Sequence, residues 1–361
     1  MLPVTAAKYE ADRIWAIVLA GGQGRRLSSL TRALYGYALP KQFACIEDGR
    51  SLLHHTMRRI APVAAPERTV VIVGRAYGAL ARRQLMEFPG VDLVMQPADL
   101  GTAPGILLPL SRILARNPGA TVAVFPCDHH LSRPLPFLSA VAEAGRLASS
   151  FPERLTLLAA VPDRPETEYG WIRPGPAIEN GAGIDLRHVA EFVEKPDSGT
   201  ARKLFAEGGL WNTFVIVGKA ERLWRLCERC LPDCVGCFRP YADSVGGAHE
   251  TAVLQNAYRR MPPADFSREV LQRAGGLAVL PVLGSGWTDW GSPERVARTL
   301  RGEDPAARKP AAAGSRSAVL TLLGGDEHAS RSGGDHGDRF STGEGAIQIG
   351  DDVVHVLDPH R

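Results

Sequence analysis

Glycine, acidic and basic residues recur in this chain directly after short apolar runs, where the end of a buried strand would present them to a ligand. The run Ile14–Leu19 passes into Leu19-Ala20-Gly21-Gly22-Gln23-Gly24-Arg25-Arg26-Leu27. Gly21, Gly22 and Gly24 lack a Cβ, so the backbone there can bend tightly and approach a ligand closely. Backbone N–H groups exposed in this way can cradle phosphate, and Arg25 and Arg26 add charge and paired donors. The third glycine of G-x-G-x-x-G is absent and no G-K-[ST] closes a P-loop, so a plain βα turn is the bland alternative. Lys41, in Pro40-Lys41-Gln42-Phe43, is a loop lysine whose meaning depends on its neighbours. Gln96 ends another apolar run and offers the acceptor and donors that a nucleobase edge requires. Gly101 and Thr102 then open a helix; Gly101 leaves room for a flat base, and an ordinary helix start competes with that reading.

Further along, Asp128 stands in Pro126-Cys127-Asp128-His129-His130 after the run Thr121–Phe125. A carboxylate at the tip of a central strand can hold Mg2+ against a triphosphate, whereas a turn or cap is its simpler role. Consecutive side chains diverge, so His129 and His130 do not read as a transition-metal pair. Glu168-Tyr169-Gly170-Trp171-Ile172, Phe192-Val193-Glu194-Lys195-Pro196, Trp211-Asn212-Thr213-Phe214 and Trp287-Thr288-Asp289-Trp290-Gly291-Ser292-Pro293 complete the series. Each taken singly reads as a turn or a solvated edge. Asp289, between two tryptophans, is the least plausible as an idle surface acid.

The elements that must carry these residues alternate along the chain. Strands are expected at Ile14–Leu19, Val70–Gly74, Asp92–Gln96, Thr121–Phe125, Leu155–Val161, Val189–Val193, Phe214–Val217 and Leu277–Val282. Helical patterns are expected at Ala76–Glu87, Ala103–Arg116, Pro136–Ser149, Ala220–Arg229 and Pro293–Leu300. Near-continuous apolar strands separated by amphipathic helices predict a mostly parallel sheet covered on both faces, with ligands at the carboxyl edge. Past Arg301 the texture changes: Gly302 to Gly345 is rich in Ala, Gly, Ser, Asp and Arg, with one apolar run at Ala318–Leu323. That stretch reads as a linker or loosely ordered tail, and Ala346 to Leu357 as a short strand pair. The expected division is a catalytic domain over 1–301 and an appendage over 302–361.

Eight motifs in one order carry a family resemblance: LAGGQGRRL, PKQF, QPADLGTAPG, FPCDHH, EYGWI, FVEKP, LWNTF and WTDWGSPERV. Over Ile14 to Leu300 the chain resembles the sugar-nucleotide pyrophosphorylases, and within them the mannose-1-phosphate guanylyltransferases. The resemblance implies an α/β fold with a mostly parallel Rossmann-like sheet of the nucleotide-diphospho-sugar transferase type. It implies transfer of GMP from GTP to mannose 1-phosphate, giving GDP-mannose and pyrophosphate with Mg2+ as cofactor. Another NDP-sugar pyrophosphorylase, for example one acting on glucose 1-phosphate, or a non-catalytic regulatory relative that binds a sugar nucleotide, is the alternative. Residue by residue, Leu19, Ala20, Gly21, Gly22, Gly24 and Arg25 match the nucleotide loop, and Gln96, Gly101 and Thr102 the base contacts. Arg26 and Lys41 match the residues at the triphosphate, and Asp128 and Asp289 the metal pair. Gly170, Glu194, Lys195 and Asn212 match the sugar-phosphate site. Arg25 replaces a small residue, Cys127 a Ser or Ala, and Thr213-Phe214 a Ser-Gly, while Tyr35–Leu39 lacks the basic residue often found before that Pro.

Composition sets the outer bounds. Of 361 residues 45% are hydrophobic and 22% charged, enough for a sizeable core, and a net charge of +3 without basic runs does not suggest nucleic acid. No stretch approaches the roughly 20 apolar residues of a membrane span, and Met1 to Arg13 does not read as a secretory signal. A cytoplasmic, reduced protein is expected, acting on free nucleotide and sugar 1-phosphate, with a homodimer allowed. Four of the six cysteines, Cys227, Cys230, Cys234 and Cys237, are spaced C-x2-C-x3-C-x2-C. That is too crowded for a usual zinc site, and the offsets keep roughly one helical face, so the thiols are expected to pack inward.

Overall fold

The computed structural model describes residues 14–303, Val319, 346–349 and 352–355. Its strands are β1 (Ile14–Ala20), β2 (Thr69–Gly74), β3 (Asp92–Gln96), β4 (Thr121–Pro126), β5 (His130–Leu131), β6 (Leu155–Ala160), β7 (Gly170–Ala177), β8 (Arg187–Glu194), β9 (Leu210–Lys219), β10 (Leu277–Val282) and β11 (Trp287–Thr288). Nine of them form one sheet in the order β3-β2-β1-β4-β9-β6-β10-β8-β7. Strands β1 to β4, β6 and β10 run the same way, which is the mostly parallel sheet expected. Against them, β9 lies antiparallel between β4 and β6. A further β7–β9 pairing turns the far end of the sheet back onto its middle.

Period-two alternation explains why helices cover both faces. Along β1, Ile14, Ala16, Val18 and Ala20 enter one core with residues of the helices Leu52–Ile60, Pro134–Ser150 and Pro293–Arg301. Trp15 and Ile17 enter the other, with residues of Thr102–Arg116, Ala220–Cys230, Pro232–Ser244 and Glu250–Arg260. Cys227 and Cys234 lie buried in this second core and Cys230 and Cys237 pack against it, so the thiols do turn inward. Burial pushes the Cys234 thiol up to about 11. Among the described residues no helix is long and apolar enough to cross a membrane.

Several element boundaries differ from expectation. Strand β9 begins at Leu210, so Trp211, Asn212 and Thr213 lie within it and not ahead of it. An antiparallel strand starts at the edge where its parallel neighbours finish, which is how Asn212 reaches that edge. Gly170-Trp171-Ile172 opens a strand, and helices also form at Ser28–Tyr35, Leu52–Ile60, Ser198–Ala206, Pro232–Ser244 and Glu250–Arg260. The strand pair expected near the end is present: Ala346–Ile349 and Asp352–His355 pair antiparallel. Apart from Gly302, Glu303 and Val319, the linker expected over 302–345 lies outside the described residues.

Candidate active site

A cavity of about 320 Å3 opens at the carboxyl edge of the parallel strands, lined from one side by Leu19, Gly22, Arg26 and Asp128 and from the other by Gly170, Glu194, Lys195, Asn212 and Asp289. The glycine loop is its near wall. Gly24 adopts a left-handed conformation (φ 58°), and a Cβ there would stand 2.7 Å from the Lys41 backbone nitrogen. Both facts demand glycine. Gln42, buried beside it, donates from Nε2 to the carbonyls of Ala20 (2.9 Å) and Gly22 (2.6 Å), so the loop is pinned from below. Gln96 is buried against Gly21, whose Cβ, if present, would lie 2.7 Å from Gln96 Nε2.

Gly101, at φ 95°, passes so close to Ala264 that a Cβ would lie 2.4 Å from its carbonyl oxygen. Thr102 lines the cavity while its Oγ1 accepts a bond from Phe266 N at 2.8 Å. This start of the Thr102–Arg116 helix therefore anchors a loop that brings Asp265 and Ser267 to the cavity. Arg25 stands apart from the others: it is exposed and donates to Gln23 Oε1 at 2.8 Å.

Asp128 and Asp289 meet through a two-residue sheet. β5 and β11 pair antiparallel, Leu131 with Trp287 and His130 with Thr288, which sets the turn after β4 against the residue after β11. One buried ammonium then joins them. Lys41 Nζ lies 3.0 Å from Asp128 Oδ2 and donates to the Asp289 backbone carbonyl at 2.6 Å. A buried cation of this kind is tolerable only when so paired. Thr56 and Arg59, on the helix Leu52–Ile60, brace the same turn through the carbonyls of Cys127 and His129.

The two oxygens of Asp289 have different surroundings. Oδ1 accepts from Tyr169 OH (3.0 Å), Gly291 N (2.7 Å) and Arg295 Nη1 (2.9 Å). Oδ2 faces Arg26 Nη2 at 3.3 Å. Arg295 is itself held by Glu166 at 2.9 Å and lies over the Tyr169 ring, 4.6 Å from its centroid. Burial opposes ionisation of Asp289, but Lys41, Arg295 and Arg26 outweigh it and hold the carboxyl at about 2. Burial opposes ionisation of Asp128 as well, and there too Lys41 prevails and lowers the carboxyl.

On the opposite wall, β7 and β8 pair Gly170 with Glu194. A Cβ on Gly170 would meet Glu194 Oε2 at 2.8 Å and Asn212 Cβ at 3.4 Å, so the three residues are packed together. Burial, reinforced by Asp265, raises Glu194 above the usual carboxylate range. Lys195, Phe214 and Trp290 are the non-glycine residues at positive φ (47°, 57° and 44°) among those described, and each is in the site or beside it in the chain. Such conformations cost on the order of 1–3 kcal/mol each and persist only where the surroundings impose them.

Hard oxygen donors suit Mg2+, and the carboxylates of Asp128 and Asp289, both on the lining of this cavity, provide them. Asp289 Oδ2 can be released by an exposed arginine, and five acids (Asp128, Glu168, Glu194, Asp265 and Asp289) line a cavity with Arg26 and Lys195 as its lining cations. These residues fit a divalent ion. Sequence reasoning passed over Gln42, Tyr169, Arg295, Asp265 and Ser267. PKQF, EYGWI and WTDWGSPERV did contain the first three, but nothing in spacing shows which neighbour of a marked residue turns toward it.

The Nucleotidyl transferase family model matches residues 15–298. Mannose-1-phosphate guanylyltransferase of Salmonella montevideo is 31% identical over 286 residues, covering 77% of this chain and 58% of the relative. Its namesake in Escherichia coli strain K12 is 29% identical over 287 residues, covering 78% and 58%. The chain thus spans 58% of the length of these curated relatives. Among solved structures, a Thermus thermophilus protein described as a mannose-1-phosphate geranyltransferase matches with a TM-score of 0.66 at 29% identity, over 79% of each chain.

Proposed function

Because the chain belongs to the nucleotidyl transferase family, we propose that it transfers GMP from GTP to mannose 1-phosphate, giving GDP-mannose and pyrophosphate. The observation that carries this reading is the single cavity whose lining combines Arg26 and Asp128 with Glu194, Lys195, Asn212 and Asp289. The names of the relatives support the choice of sugar and base.

In this reaction an oxygen of the sugar phosphate attacks the α-phosphorus of the triphosphate in line, and the α–β bridging oxygen leaves with pyrophosphate. A phosphate monoester has its second pKa near ~6, so the nucleophile is already an anion and no general base is required. The protein must align two mutually repelling anions and stabilise the departing charge. Lys195 draws in the sugar phosphate, while Arg26 and Lys41 neutralise the leaving group. Gly21, Gly22 and Gly24 let the backbone follow the triphosphate, and Gln96, packed against Gly21, is the amide offered to the base. The space that Gly101 was expected to leave for a base is filled by the Ala264 carbonyl, so its glycine serves the loop's close approach. Asp128 and Asp289 would hold the Mg2+, which when bound screens the charges of the reacting phosphates. An acid-rich cavity that takes two anions supports that requirement. The reading extends to a cytoplasmic enzyme whose catalytic unit ends with the helix Pro293–Arg301.

Pyrophosphate release from a panel of nucleoside triphosphates and sugar 1-phosphates with Mg2+ tests it. GTP with mannose 1-phosphate should turn over fastest; another fastest pair reassigns the substrates, and no turnover with any removes the activity. Asp128→Ala should cost roughly 10²–10³ in kcat, the scale of losing one preorganised electrostatic partner, while unfolding stays cooperative. Lys195→Ala should behave alike. Near-normal rates in both purified variants would take these residues out of the mechanism.

A further inference from the structure

The uneven partners of the Asp289 carboxylate suggest how cation and nucleotide are coupled. Oδ1 is fixed by three donors, whereas Oδ2 has the Arg26 guanidinium. These cations differ in freedom: the side chains of Lys41 and Arg295 are 7% and 10% exposed, while that of Arg26 is 52% exposed. Arg26 also reaches Glu168 at 3.7 Å, so it bridges the glycine loop to the opposite wall. The pair with Glu168 is half exposed at both ends and the pair with Asp289 at the arginine end, so solvent screens the guanidinium and each contributes on the order of 1 kcal/mol or less.

We propose that Arg26 is a latch: without nucleotide it occupies the oxygen of Asp289 that a divalent cation needs, and a triphosphate frees that oxygen by drawing the guanidinium away. The inference rests on the reading of Asp128 and Asp289 as cation ligands. Loss of the Arg26 contact from Asp289 Oδ2 leaves Oδ1 held by Tyr169, Gly291 and Arg295, so the carboxylate keeps its orientation as its outer oxygen opens. Cation and triphosphate then each raise affinity for the other, as linkage requires. The cation is thereby kept off the bare enzyme and taken up with the nucleotide.

Manganese(II) binding to nucleotide-free protein, followed by electron paramagnetic resonance, is the test, and it needs no turnover. Arg26→Gln should bind manganese(II) roughly fivefold or more tightly than the unsubstituted protein. The gain should vanish when Arg26→Gln is combined with Asp289→Asn, because the competition is for that carboxylate. Arg25→Gln removes the same charge from the same loop without touching Asp289, and should leave manganese(II) binding unchanged. An equal gain from Arg25→Gln, or a gain that survives Asp289→Asn, would replace the latch with plain charge repulsion. If Asp289→Asn and Asp128→Asn weaken binding but Arg26→Gln does not strengthen it, the latch is wrong and the cation site stands. If none of these variants alters binding, the latch and the cation assignment both fall.

Discussion

At the scale of single residues, His129 shows how burial decides chemistry. Trp287 Nε1 donates to its Nδ1 at 3.2 Å, so the ring proton sits on Nε2, 3.8 Å from Asp128 Oδ1. Burial lowers the ring to about 4, leaving it neutral at pH 7 beside a charged aspartate. Because this folded value lies below the ordinary 6.5, the unfolded chain takes up a proton that the folded one refuses. Stability from this group is therefore full above pH 6.5 and is lost as pH falls toward 4, at up to about 1.4 kcal/mol per pH unit. Urea unfolding between pH 7 and 5 should show His129→Gln, which still accepts the Trp287 bond, losing less stability than the unsubstituted protein. Equal losses would mean that His129 does not govern this window. The residue scale was also the most legible in sequence. Arg26, Lys41, Asp128 and Asp289 were marked by type and place, and they do come together: Arg26 reaches the Asp289 carboxylate, and Lys41 ties the Asp128 carboxylate to the Asp289 backbone. Arg295 was not, because an arginine in the first turn of a helix reads as solvated until its partners Glu166 and Asp289 are seen across it.

Elements were legible where the apolar run is unbroken and not by length alone: the five-residue β3 was expected at its own bounds, whereas the eight-residue β7 and the helix Pro232–Ser244 were not expected. β1, β4 and β6 are near-continuous apolar runs and were evident in outline, whereas β5 and β11 have two residues each. No periodicity exists in two residues. The pairing that joins the two halves of the site is for that reason the least readable. Direction was equally hidden: an antiparallel β9 between parallel strands has the same apolar pattern as a parallel one, and only its partners reveal it. The β7–β8 pairing makes a testable demand of its own. A glycine inside a strand weakens it and marks a close approach, and at Gly170 the approaching group is the Glu194 carboxylate. Gly170→Ala should still fold, since the nearest obstructing atom ends the flexible Glu194 side chain, but the carboxylate must swing aside and the Phe192 ring, 3.1 Å from the new Cβ, must give slightly. The KM for mannose 1-phosphate should rise roughly tenfold, equivalent to about 1.4 kcal/mol, with the KM for GTP unchanged. A rise in the GTP constant alone would move Gly170 and Glu194 out of the sugar subsite.

Residues 14–303 form a sheet between two cores, and the edge that carries the cavity belongs to both. Leu27, Cys127, Trp287 and Trp290 join the core of β1's even-numbered residues, while Phe266 and Ala264, flanking Asp265, join the other. The positive φ of Trp290 sits in a fully buried residue of the first core, while that of Lys195 is held by its N–H bond to the Tyr169 carbonyl at 3.2 Å. Composition alone ends this unit at the glycine-rich stretch after Arg301, since a low-complexity segment offers little to bury. Val319 complicates that division. It is fully buried and belongs to the core that contains β1's even-numbered residues, so a residue from beyond the proposed boundary takes part in that core. If the boundary is energetically real, Val319→Ala will be silent. The burial predicts instead a loss of about 1–3 kcal/mol, the range for deleting buried methyl groups, shared by one cooperative transition. A chain ending at Glu303 should show at least that loss, together with a weaker hold on nucleotide if the loss reaches Trp287 and Trp290, members of the same core that flank the Asp289 turn. Urea unfolding and GTP binding, measured side by side on the two variants, distinguish a passive appendage from a segment that completes the catalytic core.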